Sequence, residues 1–545
     1  MPKIVAFNGR NIVEPGAYAR VLGGETNPPD AASFGNVLLI DTGSMAGFGY
    51  GAGINGELQQ GPNSIYRFND LESMRKAVGG SVVWDAAKWL FKPSKDPGFR
   101  GVNSVTLIRA AATTNGAMAY TWTGGGANGG VFAVETKTEG IAANGVENAT
   151  SLLIERGFGM RMSAGVVDTA KFVVEFYRGT FRGLDHASVP FDNIIAAKTK
   201  PELLVRSIEF SNITQLINWA RGNEAFNTWF ILGGTTAAAG TGAVTSVDLS
   251  ASVGNKLATG GTETYGAGDF TSVLSAIREL DYDFILSDKY ESNMADAKNV
   301  QLLSHIKNDS EFSQRIMVIG GGIDSTAYAA SITACATFDS ELVHIAYSRT
   351  KKADSAVLGG VREYPTFYHA AAIVGRMAGQ EPQVPVTFKE LDFDGVKHEL
   401  SQPQREAACQ AGLMHMRNVP GKGWVENLDC NTKQANEQDI YEDGTSPHGS
   451  IMRIAAVLNK ELVISLRKTF VGGNANTADP ADVKAHVENF LRFRTASKTD
   501  DNLILSFQGV RCRLVQSDYS VEYGFIPNGP VNRFFVTGFM FNVSL

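Results

Sequence analysis

RIMVI, at residues 315–319, is one of four short apolar runs in the middle of the chain. The other three are WFIL at 229–232, FIL at 284–286 and LVHIA at 342–346. Strands that are buried on both faces are apolar at successive positions, so these runs are typical of parallel strands. Helical patterns lie between them, and the order βαβαβαβ predicts a doubly wound α/β domain.

Two apolar stripes predict the helices between these strands. Asp269 is placed to cap the first helix, because its side chain can accept a hydrogen bond from the free backbone amides of the first turn. The residues of the two stripes are Phe270, Val273, Leu274 and Ile277, followed by Val300, Leu303 and Ile306. Each set falls on one side of a helix and predicts its buried face.

The chain before this domain has a different pattern. Glycine-rich stretches at residues 43–56 and 121–130 predict loops and tight turns. Short runs of β-forming residues lie at 105–109, 131–136, 151–155 and 171–176. Together they predict a small, mostly antiparallel β domain.

The final third combines helical and strand patterns. Ile451, Ile454, Leu458, Leu462 and Leu466 follow helical spacing, and Gly472 and Gly473 come after this stripe.

Asp479-Pro480 predicts the start of a second helix, whose apolar line is Val483, Val487, Phe490 and Leu491, ending at Arg494. Strand patterns at 503–507, 510–515 and 520–525 follow. In the last of these, Val521, Tyr523 and Phe525 share one face. Two helices on a meander predict an α+β domain.

Both ends of the chain predict extended segments. Residues 534–545 (FFVTGFMFNVSL) alternate like a strand and contain no charged side chain. As a bare edge this segment would pair with other chains, so it must be covered within its own subunit or by a neighbour. Residues 12–22 (IVEPGAYARVL) form a second such segment, with Pro15 and Gly16 near its start. Two adhesive ends predict a subunit that polymerises.

Composition excludes several classes of protein. The 545 residues are 43% hydrophobic and 19% charged, which fits a globular chain of three or four domains. The net charge of −7 argues against a surface built for nucleic acid. The sequence has no apolar run long enough to span a membrane and starts without the apolar core of a signal peptide, so we expect a cytosolic place of synthesis and assembly.

The four cysteines indicate neither disulfides nor zinc. Cys335, Cys409, Cys430 and Cys512 lie far apart and none is in a CxxC pair. His398-Glu399 begins an HExxH match, but Gln402 stands where the second histidine would be. We therefore expect no metal and no cofactor.

The order of these parts resembles the contractile tail sheath proteins of myophages and related injection systems. The matching residues are EPGAYAR at 14–20, ISLRK at 464–468, FLRFR at 490–494 and FFVTGF at 534–539. The resemblance covers the chain in outline and is strongest in the last third. It implies an inner α+β domain formed by both termini, a central subtilisin-like α/β domain that is not a protease, and an inserted β domain.

On this resemblance the chain divides into five parts. They are an N-terminal arm at 1–30, a glycine-rich connecting region at 31–100, the inserted β domain at 101–206, the central α/β domain at 207–385 and the C-terminal α+β domain with its strand arm at 386–545.

The resemblance also implies a function. In such sheaths, terminal arms complete a small sheet in neighbouring subunits and give a mesh around an inner tube. The sheath then contracts and drives the tube through a cell envelope. The implied partners are other copies of the chain, the inner tube protein, the baseplate and the tail terminator, in a virion tail assembled in the host cytoplasm. Neither nucleic-acid binding nor membrane insertion is implied.

Candidate contact residues follow from the same resemblance. The N-terminal arm residues are Val13, Pro15, Gly16, Tyr18, Arg20 and Val21, and the C-terminal arm residues are Phe534, Phe535, Val536, Phe539, Phe541 and Val543. Charges that could face the tube or a neighbour are Arg467, Lys468, Arg511 and Arg513; ordinary solvated surface is the alternative for them. The sequence leaves open whether residues 534–545 leave their own subunit or close its sheet.

An enzyme is the alternative from another class. The glycines from Gly320 to Ser325 follow a strand, where backbone amides can hold phosphate, but a tight turn needs the same residues. Ser325, His344, His369 and Asp324 supply the residue types of a hydrolase, yet no GxSxG motif is present. A third possibility is a self-assembling shell protein that does not contract.

Overall fold

The computed structural model describes residues 5–7, 10–12, 34–41, 65–78, 82–109, 112–113, 115–122, 130–139, 157–169, 171–179, 202–233, 236–238, 254–258, 263–264, 267–287, 297–309, 315–320, 328–353, 360–434, 448–471, 479–496, 502–515 and 518–528.

The strands are β1 (Val5–Phe7), β2 (Arg10–Ile12), β3 (Asn36–Asp41), β4 (Ile65–Phe68), β5 (Ser104–Arg109), β6 (Ala112–Thr113), β7 (Asn115–Trp122), β8 (Gly130–Glu139), β9 (Gly157–Ala164), β10 (Phe172–Gly179), β11 (Glu202–Arg206), β12 (Phe230–Leu232), β13 (Ala237–Ala238), β14 (Gly254–Leu257), β15 (Glu263–Thr264), β16 (Phe284–Ser287), β17 (Ile316–Gly320), β18 (Val343–Ala346), β19 (Thr350–Ala353), β20 (Val361–Tyr364), β21 (Gly395–Val396), β22 (Leu413–Met414), β23 (Met416–Val419), β24 (Gly423–Glu426), β25 (Ile504–Val515) and β26 (Asp518–Pro527).

The helices are α1 (Leu71–Val78), α2 (Val82–Phe91), α3 (Ile213–Gly222), α4 (Glu224–Trp229), α5 (Ala267–Ile277), α6 (Ala297–Ser304), α7 (Tyr328–Phe338), α8 (Thr366–Ala378), α9 (Gln402–Ala411), α10 (Gly449–Phe470) and α11 (Pro480–Ala496). A π-helical turn, His305–Asp309, continues α6.

A seven-stranded sheet lies at the centre of the described chain. Its strand order is β22-β18-β17-β16-β3-β5-β4. Neighbouring strands are parallel except for β4, which pairs with β5 in the antiparallel sense. The parallel strands predicted from the runs at 284–286, 315–319 and 342–346 are confirmed as β16, β17 and β18.

Both faces of this sheet are covered, as the apolar runs predict. Val37 and Leu39 of β3 point into a core that they share with α2 and α8. Leu38 and Ile40 of the same strand point into a second core, which includes residues of α5, α6 and α7. The four side chains are fully buried, which explains why the strand has no polar face.

Four strands of the sheet come from parts of the chain that we expected to lie outside it: β3, β4 and β5 precede residue 207, and β22 follows residue 385. The run at 105–109 was expected in the antiparallel β domain, but β5 pairs in parallel with β3. Leu107 and Ile108 face the two opposite cores, so β5 has the same two-sided burial as the other parallel strands. The expectation failed because β3 and β5 lie far along the chain from β16.

The run at 229–232 was also placed wrongly. Trp229 ends α4, and Phe230–Leu232 form β12, which pairs antiparallel with β8. Phe230 is buried against Phe158 and Phe176, with ring centroids 5.6 and 4.8 Å away. A run of four apolar residues does not by itself distinguish a parallel strand from an aromatic core strand.

The β domain contains two four-stranded sheets within the described residues. One has the order β11-β10-β9-β14; in the other β8 pairs with β7, β12 and β13. Their shared core also includes residues of α3 and α4. The runs at 131–136 and 171–176 are confirmed as parts of antiparallel strands, and the run at 151–155 lies outside the described residues.

The turn between β9 and β10 exposes two consecutive valines. Val166 is 78% exposed and Val167 is 92% exposed. The carboxylate of Glu209 accepts hydrogen bonds from the backbone amides of Val167, at 2.7 Å, and Asp168, at 3.1 Å. The backbone of the turn is therefore held in place although its apolar side chains contact solvent.

The predicted helices between the parallel strands are present with changed details. α5 begins at Ala267, so Asp269 lies inside the helix and is not its cap. In α6, Val300 is 51% exposed and Leu302 is fully buried, so the buried face differs from the predicted stripe. The helix passes into a π-helical turn in which His305 and Ile306, adjacent in the chain, are both buried.

The final third contains the predicted helices. α10 and α11 pack with β25 and β26 around a core formed by Ile454, Leu458, Val487, Leu491 and Tyr523, among others. The runs at 503–507 and 510–515 form one strand with an irregularity between Gln508 and Arg511.

Helix α10 belongs to two cores. Met452 and Ala455 near its start pack in the core under the central sheet. Ile454, Leu458 and Leu462 pack against α11 and the β25–β26 hairpin. The predicted domain boundaries stay predictions, but α10 packs across the one at residue 385.

A buried ion pair fixes α10 to the central sheet. Lys460 Nζ lies 2.8 Å from Asp283 Oδ1 and 2.5 Å from Asp281 Oδ1. The second oxygen of Asp283 accepts hydrogen bonds from the backbone amides of Gly35, at 2.8 Å, and Asn36, at 3.0 Å. Burial lowers the pKa of Lys460, but the two carboxylates raise it by more, so the ammonium form is favoured.

We predict that Lys460→Met destabilises the fold by about 3–5 kcal/mol, because it leaves the buried Asp283 carboxylate without its cation. Urea unfolding followed by circular dichroism measures this loss. Lys484→Met is the matched control: Lys484 is exposed and lies 3.7 Å from Glu488, so it should change stability by less than about 1 kcal/mol. If the two substitutions lowered the free energy of unfolding equally, the Lys460–Asp283 pair would not contribute the stability that we assign to it.

Candidate inter-subunit surface

The β25–β26 hairpin is the candidate assembly surface that the structure describes most fully. Its strands are 12 and 10 residues long and pair only with each other within the described part of the chain. The outer edges of a two-stranded sheet carry backbone amides and carbonyls that can accept a further strand.

The two edges of the hairpin differ. β25 contains two irregularities, at Leu505 and between Gln508 and Arg511, where it has one residue more than its partner. Gly509, in the second, has a φ of +70°, which favours glycine. Such bulges bend a strand and interrupt regular pairing at its edge. All of the extra residues lie in β25, so β26 has the more regular edge.

The two faces of the hairpin also differ. Ile504, Val510 and Tyr523 are buried against α10 and α11. The solvent side carries exposed apolar residues: Leu505 is 59%, Leu514 42% and Ile526 54% exposed. The predicted face formed by Val521, Tyr523 and Phe525 is confirmed as the inward one.

Polar contacts hold the two supporting helices in position. Arg494 of α11 donates to Glu461 of α10 at 2.9 Å, and Glu461 is nearly fully buried. Ser465 Oγ and His486 Nε2 lie 2.7 Å apart. These contacts fix α10 and α11 relative to each other, and the hairpin packs on both helices.

The predicted arm residues lie outside the described residues. These are Val13, Pro15, Gly16, Tyr18, Arg20, Val21, Phe534, Phe535, Val536, Phe539, Phe541 and Val543. At the N-terminal side the structure describes a small hairpin in which β1 pairs antiparallel with β2, ending at Ile12. At the C-terminal side the description ends at Asn528, whose amide donates to Leu503 O at 3.0 Å.

The four predicted contact charges lie on two elements. Arg467 and Lys468 are in the last turn of α10, where positive charge also stabilises the helix end. Arg511 and Arg513 are exposed on β25, and Arg511 lies opposite Glu522 in the hairpin register. The Arg511 charge is thus partly balanced inside its own sheet. All four remain predicted contact residues.

The residue types of the enzyme alternative are not assembled within the described chain. Gly320 ends β17, and residues 321–327 are outside the described residues, including Asp324 and Ser325. His344 is fully buried inside β18, and its Nδ1 lies 2.8 Å from the carbonyl oxygen of Cys430. His369 is also fully buried, with Nε2 2.7 Å from Glu426 Oε2. Both histidines are packed inside the fold and neither faces a solvent-accessible site.

Metal and membrane sites can be tested only on the described residues. Among them, no group of three or more His, Cys, Asp or Glu side chains could hold a metal ion. The described helices include none of the length and apolarity that a bilayer span requires.

Sequence reasoning missed a set of buried charges on α10. Arg453 donates to both oxygens of Asp429, at 3.2 and 2.6 Å, and both side chains are buried. Gly449, at the start of the helix, lies against Asp429 and His344: a Cβ atom there would be 2.5 Å from His344 Cε1. The sequence did contain a signal for these buried charges, because Arg453 and Lys460 lie between the apolar residues of the α10 stripe.

Comparison with known proteins gives one relative along almost the whole chain. The tail sheath protein of Bacillus phage SP01 is 21% identical over an alignment of 591 residues, which covers 98% of this chain and 96% of that protein. No protein-family model matches the chain. The alignment with the phage protein confirms the resemblance to tail sheath proteins that the sequence predicts.

Solved structures of sheath tail proteins are also similar to this chain. The protein from Desulfitobacterium hafniense is 16% identical, with a TM-score of 0.48, and the match covers 93% of this chain and 100% of that one. The protein from Listeria innocua is 15% identical, with a TM-score of 0.43, and the match covers 92% and 96%.

We predict that acid destabilises the fold partly through His344. The pKa of His344 is lowered to about 4, chiefly by burial; Asp429 and the Cys430 carbonyl oppose this shift, and Arg453 adds to it. Because the folded pKa lies below the usual value of about 6.5, the stability contributed by the neutral ring is complete above that pH and is lost as the pH falls toward 4.

The expected loss from this residue between about pH 7.5 and pH 5 is ~2 kcal/mol. Urea unfolding at both pH values measures it, and His344→Gln should remove most of this loss. His398 is exposed, so His398→Gln is the control and should retain the wild-type pH dependence. An unchanged pH dependence in His344→Gln would contradict the assignment.

Proposed function

We propose that this chain is the structural subunit of a contractile tail sheath. The observation that carries the proposal is the near full-length alignment with a phage tail sheath protein. The β25–β26 hairpin and the uncharged segment at residues 534–545 support it, because they supply an acceptor edge and a strand that needs a partner.

Strand addition at the hairpin is the proposed link between subunits. The regular edge of β26 receives an extended segment from a neighbouring copy, either residues 12–22 or residues 534–545. Main-chain hydrogen bonds give the affinity, and the exposed Leu514 and Ile526 offer apolar surface to the incoming side chains. The bulges of β25 make its edge the weaker acceptor.

Assembly around an inner tube gives the polymer its function. In the proposed cycle, subunits assemble in an extended state on the tube, joined to a baseplate and a terminator, in the tail of a virion made in the host cytoplasm. Contraction exchanges one set of subunit contacts for a more stable one and drives the tube through a cell envelope. No nucleotide is consumed, because the free energy is stored in the first packing.

The proposed role is structural and not enzymatic. The two histidines named for a hydrolase are buried in the fold, where they pair with Cys430 and Glu426. The proposal gives no phosphate-binding role to residues 320–325, and it needs neither a cofactor nor a metal.

We predict that a chain ending after Arg533 folds but does not form tubes, because it lacks the uncharged strand. Deletion of residues 12–21 should have the same result. Circular dichroism tests folding, and sedimentation with negative-stain electron microscopy tests assembly. Wild-type chain is expected to form tubes or rings under the same conditions.

Control variants separate this proposal from the enzyme alternative. Ser325→Ala and Asp324→Ala should assemble like the wild type. Intact tubes from both truncated chains would contradict the arm mechanism. A wild-type chain that stays monomeric at high concentration would contradict the sheath itself.

A further inference from the structure

The buried pair of Lys460 and Asp283 has the geometry of a reactive site as well as that of an ion pair. Lys460 Nζ lies 2.8 Å from Asp283 Oδ1, and the two side chains are 7% and 6% exposed. An amine held against a carboxyl group in this way can form an amide bond with it, because the two groups are already in contact and water is largely excluded. In such a reaction the lysine is the nucleophile and the carboxyl carbon is its target.

Two main-chain amides donate to the other oxygen of Asp283. Gly35 N and Asn36 N lie 2.8 and 3.0 Å from Oδ2. When an amine attacks the carboxyl carbon, negative charge develops on this oxygen, and a pair of amide donors stabilises such an oxyanion. Gly35 has a φ of +104°, and a Cβ atom there would lie 2.6 Å from the carbonyl oxygen of Ala378, so the first donor requires glycine.

Asp281 supplies a second carboxylate at the same amine. Its Oδ1 lies 2.5 Å from Lys460 Nζ, and its side chain is partly exposed. Its Oδ2 lies 3.5 Å from Asn36 Nδ2, and Asn36 Oδ1 accepts a hydrogen bond from Ser104 Oγ at 2.8 Å. A carboxylate in this position can take a proton from the attacking nitrogen and pass it to the departing oxygen, which is general acid–base catalysis.

The surroundings make the uncharged form of the pair accessible. Phe284, next to Asp283, is fully buried, and its ring centroid lies 5.4 Å from that of Phe34. The pKa of Asp283 is raised, chiefly by burial, although Lys460 and the Asn36 amide oppose the shift. Transfer of one proton from Nζ to Oδ1 gives the free amine and the neutral acid, and it removes two charges from a buried site. The ammonium form of Lys460 is favoured at rest, so we expect the reaction to be slow.

We propose that Lys460 and Asp283 form an isopeptide bond, which joins α10 to the chain just before β16. After the first proton transfer, Nζ attacks Cγ of Asp283. Asp281 takes a second proton from the nitrogen and gives it to Oδ1, which leaves as water. The N–C bond forms and the C–O bond breaks, so no oxidant, cofactor or nucleotide is consumed. The product is an amide whose carbonyl oxygen, Oδ2, keeps the hydrogen bonds from Gly35 and Asn36.

The bond closes a long loop of the chain. Its two residues are 177 positions apart in the sequence. The far half of α10 packs against the β25–β26 hairpin. A pull on the hairpin therefore reaches the central sheet through a covalent link as well as through packing. The inference does not depend on the proposed function, because both reacting groups lie within one chain.

Intact mass spectrometry of the purified full-length chain tests the proposal. After incubation for several days at neutral pH, we expect a mass about 18 Da below that of the sequence, because one water is released. Trypsin does not cut after an amidated lysine, so digestion should give a branched peptide that joins residues 279–289 to residues 454–467. Fragmentation of this peptide should place the link at Asp283 and Lys460.

Two variants separate the reaction from the ion pair. Lys460→Arg keeps a cation beside Asp283 but has no amine, so it should show no mass loss. Asp281→Asn keeps the reacting pair and removes the group that transfers the proton, so the branched peptide should appear at least about tenfold more slowly. Circular dichroism checks that both variants fold. If Lys460→Arg does not fold, the branched peptide of the wild-type chain decides the question by itself.

Lys352 is the internal control for burial. It also contacts an aspartate, Asp392, but both side chains are partly exposed to solvent. Because water is not excluded from this second pair, Lys352 should remain a free amine that trypsin recognises.

Three results would overturn the inference. The first is a wild-type chain that keeps the full mass of its sequence. The second is a mass loss without the branched peptide, which would assign the lost water to a succinimide at another aspartate. The third is an equal mass loss in folded Lys460→Arg. An unchanged rate in Asp281→Asn would overturn the role that we assign to Asp281.

Discussion

The pairing of Lys460 with Asp283 connects three distant parts of the sequence. Asp283 precedes β16, accepts two amides at the start of β3, and receives the ammonium group of a lysine in the middle of α10. A buried carboxylate with these donors has few alternative arrangements, since each lost partner leaves an unsatisfied charge. The interaction therefore fixes the register of β3 in the sheet and the position of α10 beneath it. The hairpin that we propose for assembly depends on that position, because β25 and β26 pack on the far half of α10.

Strand addition, the proposed contact between subunits, uses main-chain groups on a long, regular edge and needs little from particular side chains. Such a link can persist while the side-chain contacts around it are exchanged. This property suits an assembly that must rearrange without separating.

Local patterns in the sequence predicted where strands and helices lie better than they predicted which strands pair with one another. The runs at 315–319 and 342–346 became parallel strands because side chains buried on both faces leave a clear signal. The same pattern in β5 was seen but assigned to the wrong sheet, since pairing between distant strands has no local signature. The candidate site was only partly predictable: alternation gave the inward face of β26, whereas the bulges of β25 depend on register. Buried Lys460 and Arg453 looked like ordinary helical charges, because their partners Asp283 and Asp429 lie far away in the sequence.

In the turn between β9 and β10, one side chain holds the backbone, while the most exposed side chains contribute little to its shape. Glu209 holds the main chain of Val167 and Asp168, while the side chains of Val166 and Val167 contact almost nothing. The conformation of this turn therefore depends on the Glu209 carboxylate, whereas the two valine side chains contribute little to it. Among relatives of this chain, substitutions should accumulate at these two positions faster than at the carboxylate that supports them. The outermost side chains of this turn can therefore differ between related chains without changing its shape, provided that the carboxylate beneath them is kept.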